Sequence, residues 1–205
     1  MLLIASALAA ATFGEGAGRR LLGVYPTEAV REGRSAAIEY ELTIDPDGKL
    51  EQCNTLRAVG DERLAAQTCA IIEAARFRYT RATAPDGTPA YGVIHTSSNF
   101  FLPDTAQGRA IRDYSFDPEI EISVQALPDD VDDPADVKVV TVIGTDGKMA
   151  ACEPVADVRG DLAEVACRQV QSREWARVVD LAGTAVPYVR EFVVQFTTRR
   201  QSPQS

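Results

Sequence analysis

The sequence is poor in histidine, with only His95 among its 205 residues. Hydrolytic triads and catalytic metal sites usually need histidine as a base or as a ligand. His95 lies in a run that alternates like a β-strand, Gly92–Leu102, where a residue on the face of a sheet is the more common interpretation. We therefore expect no enzyme, no metal site and no cofactor.

Positive charge is also scarce, because 21 Lys and Arg stand against 30 Asp and Glu, which gives a net charge of −9. Nucleic acids and anionic lipid headgroups both attract cationic surfaces. The only basic pairs, Arg19–Arg20 and Arg199–Arg200, lie near the two ends. The composition therefore predicts no nucleic-acid partner and no anionic membrane surface, and we expect no small-molecule substrate.

No hydrophobic run is long enough to cross a bilayer of about 30 Å. The apolar start, Met1–Thr12, is too short for that purpose, and Ala7–Ala9 fits the small-x-small pattern that precedes a signal-peptidase cut. No Lys or Arg comes before this run. We predict a cleaved export signal with a flexible lead-in over residues 1–22, and the alternative is a hydrophobic start on a cytosolic protein.

The chain contains an internal repeat. The segments Asp45–Cys53 and Gly144–Cys152 share an Asp-Gly-Lys turn, an apolar residue and a cysteine in the same spacing. In both halves a second cysteine, an aromatic residue, a Gly, a Pro and a final alternating run then follow in the same order. We interpret these landmarks as two homologous modules. The predicted organisation is module 1 over residues 23–103, a linker over 104–115, a degenerate module 2 over 116–198 and a tail over 199–205.

Each module is predicted to have an α+β fold. A hairpin closed by the Asp-Gly turn is followed by a helix and a long last strand. The predicted helices are Tyr25–Glu32, Glu62–Ala75 and Asp161–Ser172, and Phe116–Val124 is an additional predicted strand. Each module is thus an antiparallel three-stranded sheet with one or two helices on one face.

The long last strands, Tyr91–Leu102 and Tyr188–Thr197, are expected at or near the edge of each sheet. An exposed edge is a template that pairs with another extended chain. The residues that we predict to form this partner-binding edge are Val93, Ile94, His95, Thr96, Val189, Glu191 and Val193.

A loop in the second module, Leu127–Asp136, holds five aspartates and two prolines. Aspartates are calcium ligands, but the spacing lacks the central glycine and closing glutamate of the common calcium loop. We expect an exposed, irregular segment.

Each module contains two cysteines, one on the second hairpin strand and one in the following helix. Together with an export signal, this arrangement predicts two disulfides within the modules, Cys53–Cys69 and Cys152–Cys167. Zinc sites and redox pairs usually use C-x2-C spacing, which is absent here. Buried free thiols remain the alternative for a cytosolic protein.

The first module resembles the C-terminal domain of the TonB energy-transducer family over about residues 23 to 102. The matching residues are Tyr25, Pro26, Ala29, Ile44–Leu50, Leu64, Phe77 and Gly87–Pro89. The pair Cys53 and Cys69 resembles the cysteines that a subset of these domains carries at the same two places. The second module keeps Asp146–Lys148, its cysteines and Trp175.

The resemblance implies a periplasmic binding module that is associated with TonB-dependent transmembrane transport. Such a module would recognise extended segments of envelope or outer-membrane receptor proteins by β-strand addition. The alternative is a structural or regulatory module that self-associates, for example as a homodimer, and transduces no energy.

Overall fold

The computed structural model describes residues 7–16, 25–155 and 159–198. The part of the expected signal peptide before Ala7, the basic pairs and the tail lie outside these ranges. The helices are α1 (Thr27–Arg31), α2 (Glu62–Ala66), α3 (Thr68–Ala75), α4 (Ala106–Arg112) and α5 (Gly160–Gln171). The strands are β1 (Thr12–Phe13), β2 (Ala36–Ile44), β3 (Leu50–Gly60), β4 (Tyr79–Thr80), β5 (Ala82–Thr83), β6 (Pro89–Phe100), β7 (Ile120–Val124), β8 (Ala135–Ile143), β9 (Met149–Pro154), β10 (Val178–Val179), β11 (Ala185–Val186) and β12 (Tyr188–Thr198).

One eight-stranded sheet runs through both halves of the chain, in the order β3-β2-β6-β12-β8-β9, with β5 on β6 and β7 on β12. The first half contributes β2, β3 and β6, which pair antiparallel, and the second half contributes β8, β9 and β12, which also pair antiparallel. The fold is therefore α+β, as predicted. The two expected sheets, however, are joined into one.

The helices of the two halves cover opposite faces of this sheet. Side chains alternate between faces along a strand, and the neighbours Val93 and Ile94 belong to different cores. The core that contains Ile94 is closed by α2 and α3, whereas the core that contains Val93 is closed by α5. Each face therefore has one half covered by helices.

The predicted edge position of the last strands is wrong. β6 lies between β2 and β12, and β12 lies between β6 and β8. Within its own half, each last strand has a neighbouring strand on one side only. Pairing β6 with β12 satisfies backbone groups on the other side that would otherwise be exposed. The outer edges of the sheet are β3 and β9.

The segments on either side of the first module are more ordered than expected. The lead-in contains β1, which pairs with β4, and Ala11 is buried beside Gly92. A Cβ added to Gly92 would lie 2.5 Å from the Cβ of Ala11, so this close approach requires glycine. The linker contains α4, whose Ile111 is buried. Among the described residues, no helix has both the length and the apolar character needed to cross a membrane.

The other elements lie close to their predicted positions. The predicted helix Glu62–Ala75 is divided at Gln67 into α2 and α3. The hydroxyl of Thr68 donates to the carbonyl of Leu64 at this break, and such local bonds compete with regular helix geometry. The predicted strand Phe116–Val124 is shortened to β7.

The structure contains both predicted disulfides. Cys53 and Cys69 link β3 to α3 with a Cα–Cα distance of 5.6 Å, and Cys152 and Cys167 link β9 to α5 at 5.9 Å. Both distances lie within the usual range for a disulfide. Each bond thus ties an outer strand of the sheet to the helix that covers it.

Candidate functional site

A cleft opens in the sheet where the two halves separate. β6 and β12 run parallel and pair only through Tyr91–Val93 and Tyr188–Arg190. Beyond Val93, β6 continues to Phe100 with β2 on one side, and no strand of the described residues pairs on the side that faced β12. On β12, residues 191–193 likewise have no strand partner on the corresponding side within the described part of the chain, before β7 begins to pair at Val194.

This cleft has a volume of about 580 Å³, which is within the usual range for binding sites. Its walls are formed by β6, β12 and the segment that precedes β7. The lining residues are Glu39, His95, Thr96, Ser97, Ser115, Phe116, Asp117, Pro118, Glu119, Asp136, Arg190, Glu191, Val193 and Gln195.

The structure brings the seven predicted partner-binding residues together around the junction of the two strands. Four of them line the cleft: His95, Thr96, Glu191 and Val193. Val93 and Val189 lie in the stretch where β6 and β12 pair, and Ile94 is buried in the core of the first half. Their role in binding a partner stays a prediction.

Arg190 forms the charged centre of the junction, although it is only 4% exposed. Its Nη1 lies 3.0 Å from Glu41 Oε1, and its Nη2 donates to Glu119 Oε2. The guanidinium carbon lies 4.3 Å from the ring centroid of Phe192, which is a cation–π contact. One strand from each half and the segment before β7 therefore meet at a single buried arginine.

Arg190 was not among the residues chosen from the sequence. One signal was available, because Arg190 falls in the same strand phase as Tyr188, Phe192 and Val194, which are all buried. A charged residue in the buried phase of a strand needs a partner, and this pattern predicts an internal ion pair.

His95 lies beside this arginine. Its Nε2 lies 3.1 Å from Glu39 Oε1, and its Nδ1 contacts both Arg190 and, at 3.4 Å, Glu119. Burial by itself lowers the pKa of His95, but hydrogen bonds with Glu119 and Glu39 outweigh burial, and the pKa is raised. When neutral, Nδ1 accepts from Arg190; when protonated, it donates to Glu119.

The two neighbouring carboxylates are held in their charged form. The hydrogen bond from Arg57 lowers the pKa of Glu39 and outweighs the effect of burial. Burial raises the pKa of Glu119, but His95 and Arg190 together bring it below the usual value. The carboxylates and the cations therefore hold one another in their ionised forms.

The segment before β7 is fixed over the cleft by contacts with the first half. Arg57 donates to Glu39 and to the carbonyl of Asp117, and its guanidinium carbon lies 5.2 Å from the ring centroid of Phe116. The side-chain amide of Asn99 donates to the carbonyls of Ile111 and Tyr114. This wall of the cleft is thus attached to β3 and β6.

The arrangement offers hydrogen-bonding groups and charge but no nucleophile with an adjacent base. In the part of the chain that the structure describes, no group of three or more His, Cys, Asp or Glu residues is placed to hold a metal ion. The side chains of the aspartate-rich loop instead accept hydrogen bonds from within the protein. Asp130 accepts from the side chain of Arg159, Asp136 from the side chain of Gln195, and Asp133 from the backbone N–H of Thr198. The cleft therefore presents polar and charged side chains beside the extended strand β6.

Comparison with protein-family models gives one family for the first half of the chain. Residues 23–84 match the family described as Gram-negative bacterial TonB protein C-terminal. This match lies within the segment of the resemblance, about residues 23 to 102, but it ends before Gly87–Pro89 and the last strand of the first module, and it does not extend to the second half. Neither the comparison with curated proteins nor that with solved structures gave a match.

Proposed function

We propose that this protein is a binding module for extended peptide segments, because residues 23–84 match the TonB protein C-terminal family, whose domain is linked to TonB-dependent transport and to protein interaction. The partner would be an envelope protein or an outer-membrane receptor, and the protein would act in the periplasm. The segment would bind by β-strand addition in the cleft where β6 and β12 diverge.

The observation that carries this proposal is the end of the β6–β12 ladder at Val93. β6 stays extended for seven further residues, and within the described ranges no strand pairs with it on that side. Backbone N–H and C=O groups of such a strand are free to pair with an incoming chain. The polar lining around His95, Thr96 and Ser97 supplies additional hydrogen-bonding groups.

A substitution that fills the cleft tests the proposal. Ser97 is exposed and lines the cleft, so Ser97→Trp adds bulk there without disturbing a core. Periplasmic proteins captured by the wild-type protein should be lost with this variant. Capture of the same proteins by Ser97→Trp at wild-type levels would remove the cleft as the binding site.

A matched control uses the outer edge of the sheet. Asn54 is exposed on β3 and is not a lining residue of the cleft, so Asn54→Trp adds the same bulk on the outer strand. The proposal expects this control to capture partners normally. Loss of capture by Asn54→Trp alone would place strand addition on β3.

We also propose that residues 116–198 are a degenerate second copy of the domain. This proposal is supported by the common strand arrangement, in which a hairpin (β2–β3 or β8–β9) is followed by a helix and then by the last strand beside the first hairpin strand. The disulfide joins the second hairpin strand to the helix in both halves.

A second candidate function is self-association through β3. In the part of the chain that the structure describes, this strand pairs only with β2, and Leu56 and Val59 on it are 44% and 38% exposed. Exposed apolar residues on a long edge strand favour pairing with a second copy. Light scattering distinguishes the two candidates, because a monomer at all accessible concentrations would contradict self-association.

A further inference from the structure

A second cavity lies on the first half, away from the cleft. It has a volume of about 400 Å³ and lies between the β2–β3 turn, the end of α3 and β4. It shares no lining residue with the cleft. The lining residues are Gly48, Lys49, Leu50, Ile72, Glu73, Arg76, Phe77, Arg78 and Tyr79.

Positive charge is concentrated at this cavity, although the protein carries a net charge of −9. Lys49, Arg76 and Arg78 line it, whereas Glu73 is its only acidic lining residue. Lys49 makes one long contact, 3.6 Å, with the exposed Asp47. Among the described residues, neither the Arg76 nor the Arg78 side chain has an ion pair or hydrogen-bond partner. These cations are therefore available to a ligand.

Arg76 has an unusual backbone conformation for its residue type. It caps the end of α3 with φ 47° and ψ 52°, the left-handed region. Glycine is the usual residue at such a position, because other residues are strained there. Strain of this kind is often retained where a side chain has a function. In this protein the position is occupied by Arg76, which lines the cavity.

The cavity also has an apolar side and a buried hydroxyl. Leu50, Ile72 and Phe77 supply apolar surface. The Tyr79 hydroxyl is buried and has no hydrogen-bond partner among the described residues. Burial raises the pKa of Tyr79 to about 12, so this hydroxyl keeps its proton. A buried polar group without a partner is rare and calls for an explanation.

We infer that this cavity binds a phosphate-bearing ligand with an apolar organic part. Three cations from two segments line the cavity beside a single acidic lining residue, and a phosphate offers several acceptor oxygens and up to two charges to balance them. Guanidinium groups match phosphate geometry particularly well. The apolar residues accept the organic part, and both soluble phosphate esters and lipid headgroups have this chemistry.

Calorimetric titration of the full chain with phenyl phosphate and with inorganic phosphate tests the inference. We expect phenyl phosphate to bind more tightly, because the ring adds apolar contact. Flotation with phosphatidylglycerol vesicles, with and without phenyl phosphate as competitor, distinguishes the sources. Flotation with the vesicles that phenyl phosphate suppresses indicates a lipid headgroup. Calorimetric binding of phenyl phosphate without flotation indicates a soluble ester. The absence of phenyl phosphate binding would overturn the inference.

Arg76→Gly should change ligand binding and protein stability in opposite directions. Loss of a charge-assisted contact should weaken phenyl phosphate binding about tenfold or more, while relief of the left-handed strain should raise the Tm by about 2–4 °C. Arg78→Ser should weaken binding similarly. The matched control is Arg109→Ser, an exposed arginine on α4 that does not line the cavity. Equal weakening by Arg109→Ser, or none by Arg76→Gly, would contradict the site.

Discussion

Arg190 Nη1 on β12 lies 3.0 Å from Glu41 Oε1 on β2, across a junction at which only three residue pairs join the two halves of the sheet. β6 lies between these two strands, so the contact reaches over it. The guanidinium also donates to Glu119 in the segment that forms one wall of the cleft. The position of the cleft therefore depends on one buried charge and its partners.

Removal of that charge should destabilise the whole protein. Arg190→Met removes the guanidinium that contacts Glu41 and Glu119 and leaves His95 as their remaining basic neighbour. The expected loss of unfolding free energy is about 2–3 kcal/mol, less than for a fully buried pair because both carboxylates are partly exposed. Urea unfolding followed by circular dichroism measures this loss.

Arg190→Lys is the matched comparison for this prediction. It keeps the positive charge but cannot contact both carboxylates in the same forked geometry, so its stability should lie between those of the wild type and Arg190→Met. Stability of Arg190→Met within about 1 kcal/mol of the wild type would show that the ion pairs are not needed at the junction.

The stability contributed by His95 should depend on pH. Its pKa is raised in the folded protein, so its charged contacts with Glu119 and Glu39 stabilise fully below its unfolded pKa. This contribution is lost as pH rises through the raised folded pKa. His95→Gln should therefore cost more stability at pH about 5.5 than at pH about 9.

Thermal unfolding of the wild type and of His95→Gln across this pH range measures the difference. The carboxylates set the lower limit of the range, because Glu39 and Glu119 have lowered pKa values and lose their stabilising contribution as pH falls through them. A Tm difference that stays constant from mildly acidic to alkaline pH would show that the charge on His95 has no role.

The two disulfides should contribute similar stability, because they close loops of similar length, with sequence separations of 16 and 15. Replacement of either cysteine pair by alanine should cost about 3 kcal/mol in the chain-entropy description. Urea unfolding of the two double variants provides the measurement. Titration of four free thiols in the unreduced protein would contradict both bonds.

The N-terminal segment should stabilise the first half only if β1 is retained. A chain that starts at Ala10, as expected after signal cleavage at Ala9, keeps Ala11 against Gly92 and Phe13 against Phe77 and Tyr79. A chain that starts at Gly14 loses these contacts and should be about 2–3 kcal/mol less stable. Thermal unfolding of the two truncated proteins compares them, and equal Tm values would show that β1 contributes little.

Much of the local structure follows from sequence patterns. The Asp-Gly turns, the alternating strands and the cysteine spacing predicted both hairpins, the main helices and both disulfides. The helix α4 was missed, because residues 104–115 are polar and contain glycine. Its Thr105 cap donates to and accepts from backbone groups, and its buried residue Ile111 gives only a weak periodic signal.

The candidate site was only partly predictable. The seven predicted residues of the last strands lie together in the structure, but β6 and β12 lie inside the sheet and not at its outer edge, and the role of these residues in binding stays a prediction. Arg190, Glu41 and Glu119 were missed, since each comes from a different segment and no local pattern relates them. The cationic cavity was missed for the same reason, because a net charge says nothing of where individual charges lie.

The sequence by itself determined the two hairpins, the main helices and the disulfides, since turns, strand alternation and short loops depend on neighbours along the chain. Only the tertiary structure decided that β6 pairs with β12, that the helices cover opposite faces, and that a cleft and a cationic cavity form. These features depend on backbone pairing and on charges brought together from distant segments. Strand pairing through the backbone leaves no side-chain pattern that identifies the partner strand.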